Sequence, residues 1–332
     1  MYKAGYTERQ VKVKLFILRK GEYAVIVCKK VRLALFILLS ITLTGCSWFS
    51  RVPEDAKDKQ KQAQEQNQQQ IIMQNFEVHI QRSDIQPREI IAFIDSNIAQ
   101  VSKENASAMI VSLEALQKKK LDNLQTRYND DTVQRNIMSQ YPRGFDISRL
   151  DEVKDVQLKN LLTETIRDGY KLETAEGTYF PVINYGAYRK YVSAVTPDMG
   201  DYIGIMANES DKVAAKDAAL VIGWDEVVNR AMTMEKFIRD HPNSVKLEDV
   251  KQLYKRYVIY TFYGANNTPL FRYDSKTIVP EAKKSYQNAL AKGTDSKYLA
   301  TINSFLNLVD KSGNELTDEV DQYRKNVVPI GD

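Results

Sequence analysis

The chain has 332 residues, 43% hydrophobic and 27% charged, proportions that suit a globular protein with one large core or two smaller ones. Its formal net charge of +4 comes from the first segment. Residues 1–45 hold nine of the 47 basic and two of the 43 acidic side chains, leaving 38 against 41, about −3, for the rest. A remainder with no basic excess sets aside nucleic-acid binding by phosphate neutralisation. The two cysteines, Cys28 and Cys46, leave one thiol if the leader is removed before Cys46, too few for an internal disulfide or a Cys-based zinc site.

The first predicted element is an export signal. Lys29, Lys30 and Arg32 form a positive region, and Leu33 to Leu43 an apolar run of eleven residues. Eleven residues are too few to span a bilayer, which takes about 20, but they fit the apolar region of a secretory signal. Leu43-Thr44-Gly45-Cys46 follows directly. With that run, the tetrapeptide resembles the lipobox of bacterial lipoprotein precursors. The resemblance covers residues 29–46. It implies a diacylglycerol thioether on Cys46, cleavage between Gly45 and Cys46, palmitate-type acylation, and residence on the extracytoplasmic face of a cell membrane. Residues 1–28 precede an already complete signal, so translation is expected to start near Val31, read as methionine from an alternative start codon.

Residues 46–74 read as a tether. Eight of the eighteen residues from Lys57 to Gln74 are glutamine, a composition that buries too little apolar area to offset its ordering entropy. A solvated, transiently helical spacer is expected there, in preference to a coiled coil, because no apolar heptad runs through it. The exported domain then spans 75–332. Ile90, Ile91, Ile94, Ile98 and Val101 follow helical spacing after Pro87. Met109 to Leu124 mark a helix near 104–128, and Ile147 to Ile166 another that ends near Gly169. Thr196-Pro197-Asp198 reads as an N-cap followed by proline at the first helical position. Further apolar faces run from Trp224 to Ile238, stopped by His241-Pro242, and from Leu247 to Thr261, stopped by Gly264. Helices are also expected from Pro280 to Gly293, across Tyr298–Val309, and as a last short helix across Leu316–Val327.

One segment breaks the helical pattern. Residues 170–183 carry a turn at Ala175-Glu176-Gly177 between two β-prone runs and read as a hairpin. The expected fold is mostly α, an antiparallel helical bundle with one β-hairpin near 170–183. If the domain divides, that hairpin is the expected boundary. The exported part is also similar to uncharacterised lipoproteins of spore-forming, single-membrane bacteria, a resemblance that carries over no residue and no activity.

Motifs that would betray chemistry are missing. His79 and His241 are the only histidines, and no zinc-hydrolase spacing, phosphate-binding glycine loop or nucleophile elbow occurs. No catalytic residue, metal ligand or cofactor is expected. Two weaker constellations remain. Carboxylates gather near mid-chain, Glu173 and Glu176 among them, as a glycoside hydrolase would need, although helix-start and surface roles account for most. Eleven of nineteen tyrosines lie between Tyr170 and Tyr273. Most should pack in the core, but Tyr179, Tyr185, Tyr188 and Tyr191, with Glu173 and Glu176, are candidate ligand-binding residues. The expectation is a non-enzymatic, lipid-anchored helical module that binds cell-wall polymer, another envelope protein or a small ligand. The alternatives are a carboxylate enzyme acting on envelope glycan and a purely structural envelope-assembly factor.

Overall fold

A computed structural model of the chain describes residues 54–328 apart from 143 and 294, with side chains from Asp58. The signal segment, Gly45 and Cys46 lie outside the described residues. From Glu54 onward the chain forms one compact unit. The fold is mostly α, with small antiparallel two-stranded sheets. No helix of the described residues is long and apolar enough to cross a membrane.

Part of the tether is helical. α1 (Glu54–Ile80) is one continuous helix that includes the Gln-rich tract. Asp58 to Gln68 are all exposed, so this half buries nothing. Gln and Lys have good helix propensity, and nothing in the tract breaks the ladder. The second half docks. Ile72 and Phe76 are buried, Phe76 meets Phe93 at 5.7 Å, and the Gln69 side chain accepts a hydrogen bond from Ser102 N at 3.0 Å.

α2 (Pro87–Asn97) starts at its proline, with Gln86 and Glu89 forming a capping box, and buries Ile90 and Ile94. α3 (Lys103–Tyr128), capped by Ser102, is the central strut. α4 (Asp131–Gln140) had no counterpart in the sequence reading. Its apolar face is nearly a single residue, Ile137, and Asp130 fixes its start by accepting from Thr132 N and Val133 N. The expected helix across Ile147–Ile166 is divided into a 3₁₀ stretch (Ile147–Glu152) and α5 (Val156–Arg167), because Asp155 caps a new helix start.

β1 (Tyr170–Ala175) and β2 (Thr178–Ile183) form the expected hairpin. Its turn has two residues, Glu176 and Gly177, both with positive φ as a type I′ turn requires. Pro181 is tolerated because a two-stranded ribbon leaves each strand an unpaired edge. The hairpin packs on α3. A 3₁₀ stretch (Tyr185–Ala194) leads into α6 (Pro197–Asp211). Thr196 occupies the N-cap position, yet its hydroxyl turns to Ser107 on α3 at 2.9 Å and caps nothing.

α7 (Trp224–Asp240), α8 (Leu247–Tyr263), α9 (Pro280–Leu290), α10 (Lys297–Lys311) and α11 (Asp318–Val327) complete the helices. They pack around Phe262, Phe271 and Phe305, whose rings meet edge-on at 5.2 and 6.2 Å. Two short hairpins, β3–β4 (Ala215–Lys216, Ala219–Leu220) and β5–β6 (Gly264–Ala265, Thr268–Pro269), lie between helices. Their tips are joined where Asn267 donates from N and from Nδ2 to the Ala218 and Asp217 carbonyls, both at 2.8 Å.

Candidate functional site

The tyrosine candidates are core residues. Tyr179, Tyr185, Tyr188 and Tyr191 are all buried and line no open groove. Each hydroxyl has an internal partner: Tyr179 donates to the Tyr141 carbonyl, Tyr185 to Glu114 at 2.6 Å, Tyr188 to Gln117, and Tyr191 to Asp95 at 2.7 Å. A 3₁₀ stretch repeats every three residues, so Tyr185, Tyr188 and Tyr191 point the same way, onto α3 and α2.

The two glutamates separate. Glu173 on β1 lies between Lys171 and Lys216, each at 3.1 Å. Burial would raise its carboxyl pKa, but hydrogen bonds from Lys216 and Lys171 outweigh this and hold it below the usual carboxylate range. Glu176 is exposed at the hairpin tip with φ +48°. The environment of Glu173 does not favour the protonated acid that glycoside cleavage needs. His241 caps α7, packs on Phe237 and contacts Asp201 at 2.8 Å. Among the described residues, no group of three or more His, Cys, Asp or Glu side chains converges as metal ligands would.

The most elaborate polar cluster is internal. Glu114 on α3, 2% exposed, accepts from Tyr185 and Tyr202 at 2.6 Å each and from Lys246, and it pairs with Lys118 at 2.9 Å. Burial pushes its pKa up, but the hydrogen bonds from Lys246, Tyr185 and Tyr202 prevail and bring it to about 2. One turn along α3, Gln117 donates to the Asp168 carbonyl at 2.8 Å and accepts from Tyr188, and its own carbonyl accepts from Tyr170 at 2.8 Å. A second cluster joins α6, α7 and α8. Arg230 meets Glu209 at 2.9 Å, Tyr257 at 3.0 Å and Glu226. Both clusters are closed, their groups turned to each other, so they fix helix register and offer a ligand nothing.

An open concavity lies elsewhere. Tyr254, Val258 and Phe262, at four-residue spacing on one face of α8, face Tyr298 and Thr301 of α10 and Val327 at the end of α11. Together with Lys255, Lys297 and Val328 they line a cleft of about 340 Å³. The Tyr254 and Tyr298 rings meet edge-on at 6.1 Å. The Tyr298 hydroxyl is engaged by Thr261 at 2.5 Å, whereas that of Tyr254 makes no hydrogen bond among the described residues. Burial, with the charge of Glu235 adding to it, pushes the Tyr254 hydroxyl pKa up and keeps it a neutral donor. Lys255 and Lys297 are exposed and form no ion pair among the described residues.

Sequence reasoning missed Glu114, Gln117 and Lys246 as well as this cleft. For the first two a signal existed. Glu114 lies four residues after Ile110, and Gln117 four after Leu113, so both fall on the apolar seam of α3. A polar residue on such a seam marks a buried network. Comparison with known protein families, with curated proteins and with solved structures returns no match.

Proposed function

We propose that this chain is a lipid-anchored protein on the extracytoplasmic face of a cell membrane, whose helical body binds a partner there. The partner class is cell-wall polymer, another envelope protein or a small ligand. The observation that carries the reading is the run from Lys29 to Cys46: positive residues, eleven apolar residues, then Leu43-Thr44-Gly45-Cys46. α1 supports it, since a helix exposed on all sides from Asp58 to Gln68 suits a stalk between an anchor and a body. At about 1.5 Å per residue, its fifteen residues before Gln69 would extend roughly 22 Å.

The glycan-enzyme alternative loses its candidate acid with Glu173 ion-paired and Glu176 exposed at a turn tip. The anchor is tested by detergent phase partitioning of the protein from a bacterial host. The intact chain enters the detergent phase with its leader removed, as its N-terminal sequence shows, whereas the Cys46→Ser chain keeps residues 29–45. An intact chain that stays in the aqueous phase would remove the basis for the reading.

A further inference from the structure

We infer that the α8–α10–α11 cleft is a binding site for a small amphipathic anion, with an apolar body about the size of a medium-length alkyl chain and one carboxylate or phosphate head. The inference rests on the reading of the body as a binding module and names its ligand class.

Size comes first. A cleft of about 340 Å³ lies at the lower end of small-molecule sites, which run from about 300 to 1,000 Å³. A body of that size fits it and a folded protein segment does not. Polarity comes second. Val258, Phe262, Val327 and Val328 and the rings of Tyr254 and Tyr298 supply an apolar lining. Such surface gains from covering an alkyl or aryl body by about 25 cal/mol per Å².

Charge decides the head group. The chain forms many ion pairs, and basic groups such as Lys246 and Lys283 are matched by Glu114 and Asp310. Lys255 and Lys297 line the same cleft from two different helices and are unmatched among the described residues. Glu235, the acid whose charge reaches Tyr254, is already occupied at the start of α10, where it accepts from Tyr298 N at 2.8 Å and from Ser296 Oγ at 2.5 Å. The Tyr254 hydroxyl adds a neutral donor. A lining that offers cations and a hydroxyl but no free carboxylate selects an anion over a cation of the same shape.

The test uses the unit from Glu54 to Asp332, whose core is internal, so acylation of Cys46 plays no part in its outcome. Decanoate is the probe and decyltrimethylammonium the control of matched chain length, both followed by calorimetry and by amide chemical shifts. Decanoate should bind at least tenfold more tightly than the cation, with shifts at 254–262, 297–301 and 327–328. Lys255→Glu/Lys297→Glu, two exposed substitutions, should reverse that order, and raised salt should weaken decanoate binding. Equal affinity for both amphiphiles, or decanoate binding unmoved by the double reversal, overturns the inference. So does sedimentation with phosphatidylglycerol vesicles without any binding of free decanoate. Binding that emerges only after truncation at Val328 also overturns it, by making residues 329–332 the occupant.

Discussion

Replacing Glu114 by glutamine should remove a defined, acid-labile part of the stability. The carboxyl has an ordinary pKa of 4.5 and about 2 in the folded chain, held there by Lys246, Tyr185 and Tyr202 against the opposing effect of burial. A gap of about 2.5 pH units at about 1.4 kcal/mol each corresponds to roughly 3–4 kcal/mol. Because the folded pKa is depressed, that contribution is complete above pH 4.5 and disappears as pH falls towards 2. Glu114→Gln also leaves the Lys246 ammonium nearly buried beside an amide, with Asp249 at 3.5 Å as its remaining anion. Removing one partner of a buried pair costs about 3–5 kcal/mol. Urea denaturation at a series of pH values separates the two effects. At pH 7 the variant should be less stable by about 3–5 kcal/mol. The difference from the parent chain should shrink steadily between pH 4.5 and 2 as Glu114 is protonated in the parent, whereas other carboxylates with lowered pKa, such as Glu173 and Asp321, titrate in both proteins and cancel. A difference that stays constant across that window would refute the assignment of Glu114 as an ionised, internally bonded carboxylate.

Three further outcomes follow from single contacts. Tyr185→Phe should cost about 1–2 kcal/mol at pH 7 and narrow the acid-labile window, since one of the hydrogen bonds that depress the Glu114 pKa is gone; pH-dependent melting checks both. Gly264→Ala should cost about 3 kcal/mol in chemical denaturation. Its φ is +77° and the new Cβ would meet the Thr268 carbonyl and Leu270 N, whereas Gly177→Ala, at φ +73° with open space around it, should cost about 1 kcal/mol. Gln64→Pro should reduce the far-ultraviolet helical signal and leave the melting temperature unchanged, because that half of α1 touches nothing, while Phe76→Ala should destabilise by about 3 kcal/mol or more.

The helical class was legible because burial repeats where the apolar residues repeat. Ile90 and Ile94, Val227 and Val228 with Ala231, and Ile302 with Phe305, Leu306 and Val309 all fall on the inner faces read from spacing alone. The hairpin was legible from its turn, since Glu176-Gly177 punctuates two β-prone runs. α4 was not, because a helix that buries only Ile137 has almost no period to detect. Composition alone did not specify a continuous helix for the Gln-rich tract. Its composition rules out a packed segment, and α1 satisfies that rule by staying exposed while its backbone bonds to itself. The tyrosines offered as ligand-binding candidates are core residues, and their hydroxyls could be assigned only with partners in view, 71 residues away on α3 for Tyr185 and Tyr188. The cleft depends on how α8, α10 and the end of α11 meet, which no local pattern specifies.

The proposed membrane anchor is one thioether on Cys46. Bacteria expressing the intact chain or the Cys46→Ser chain should be fed radiolabelled palmitate, and the protein recovered and fractionated. The intact chain should carry label and pellet with membranes, and the serine chain should carry none and retain its leader. Label that persists without the thiol, or an intact chain that is unlabelled and recovered from the cytosol, would contradict the account.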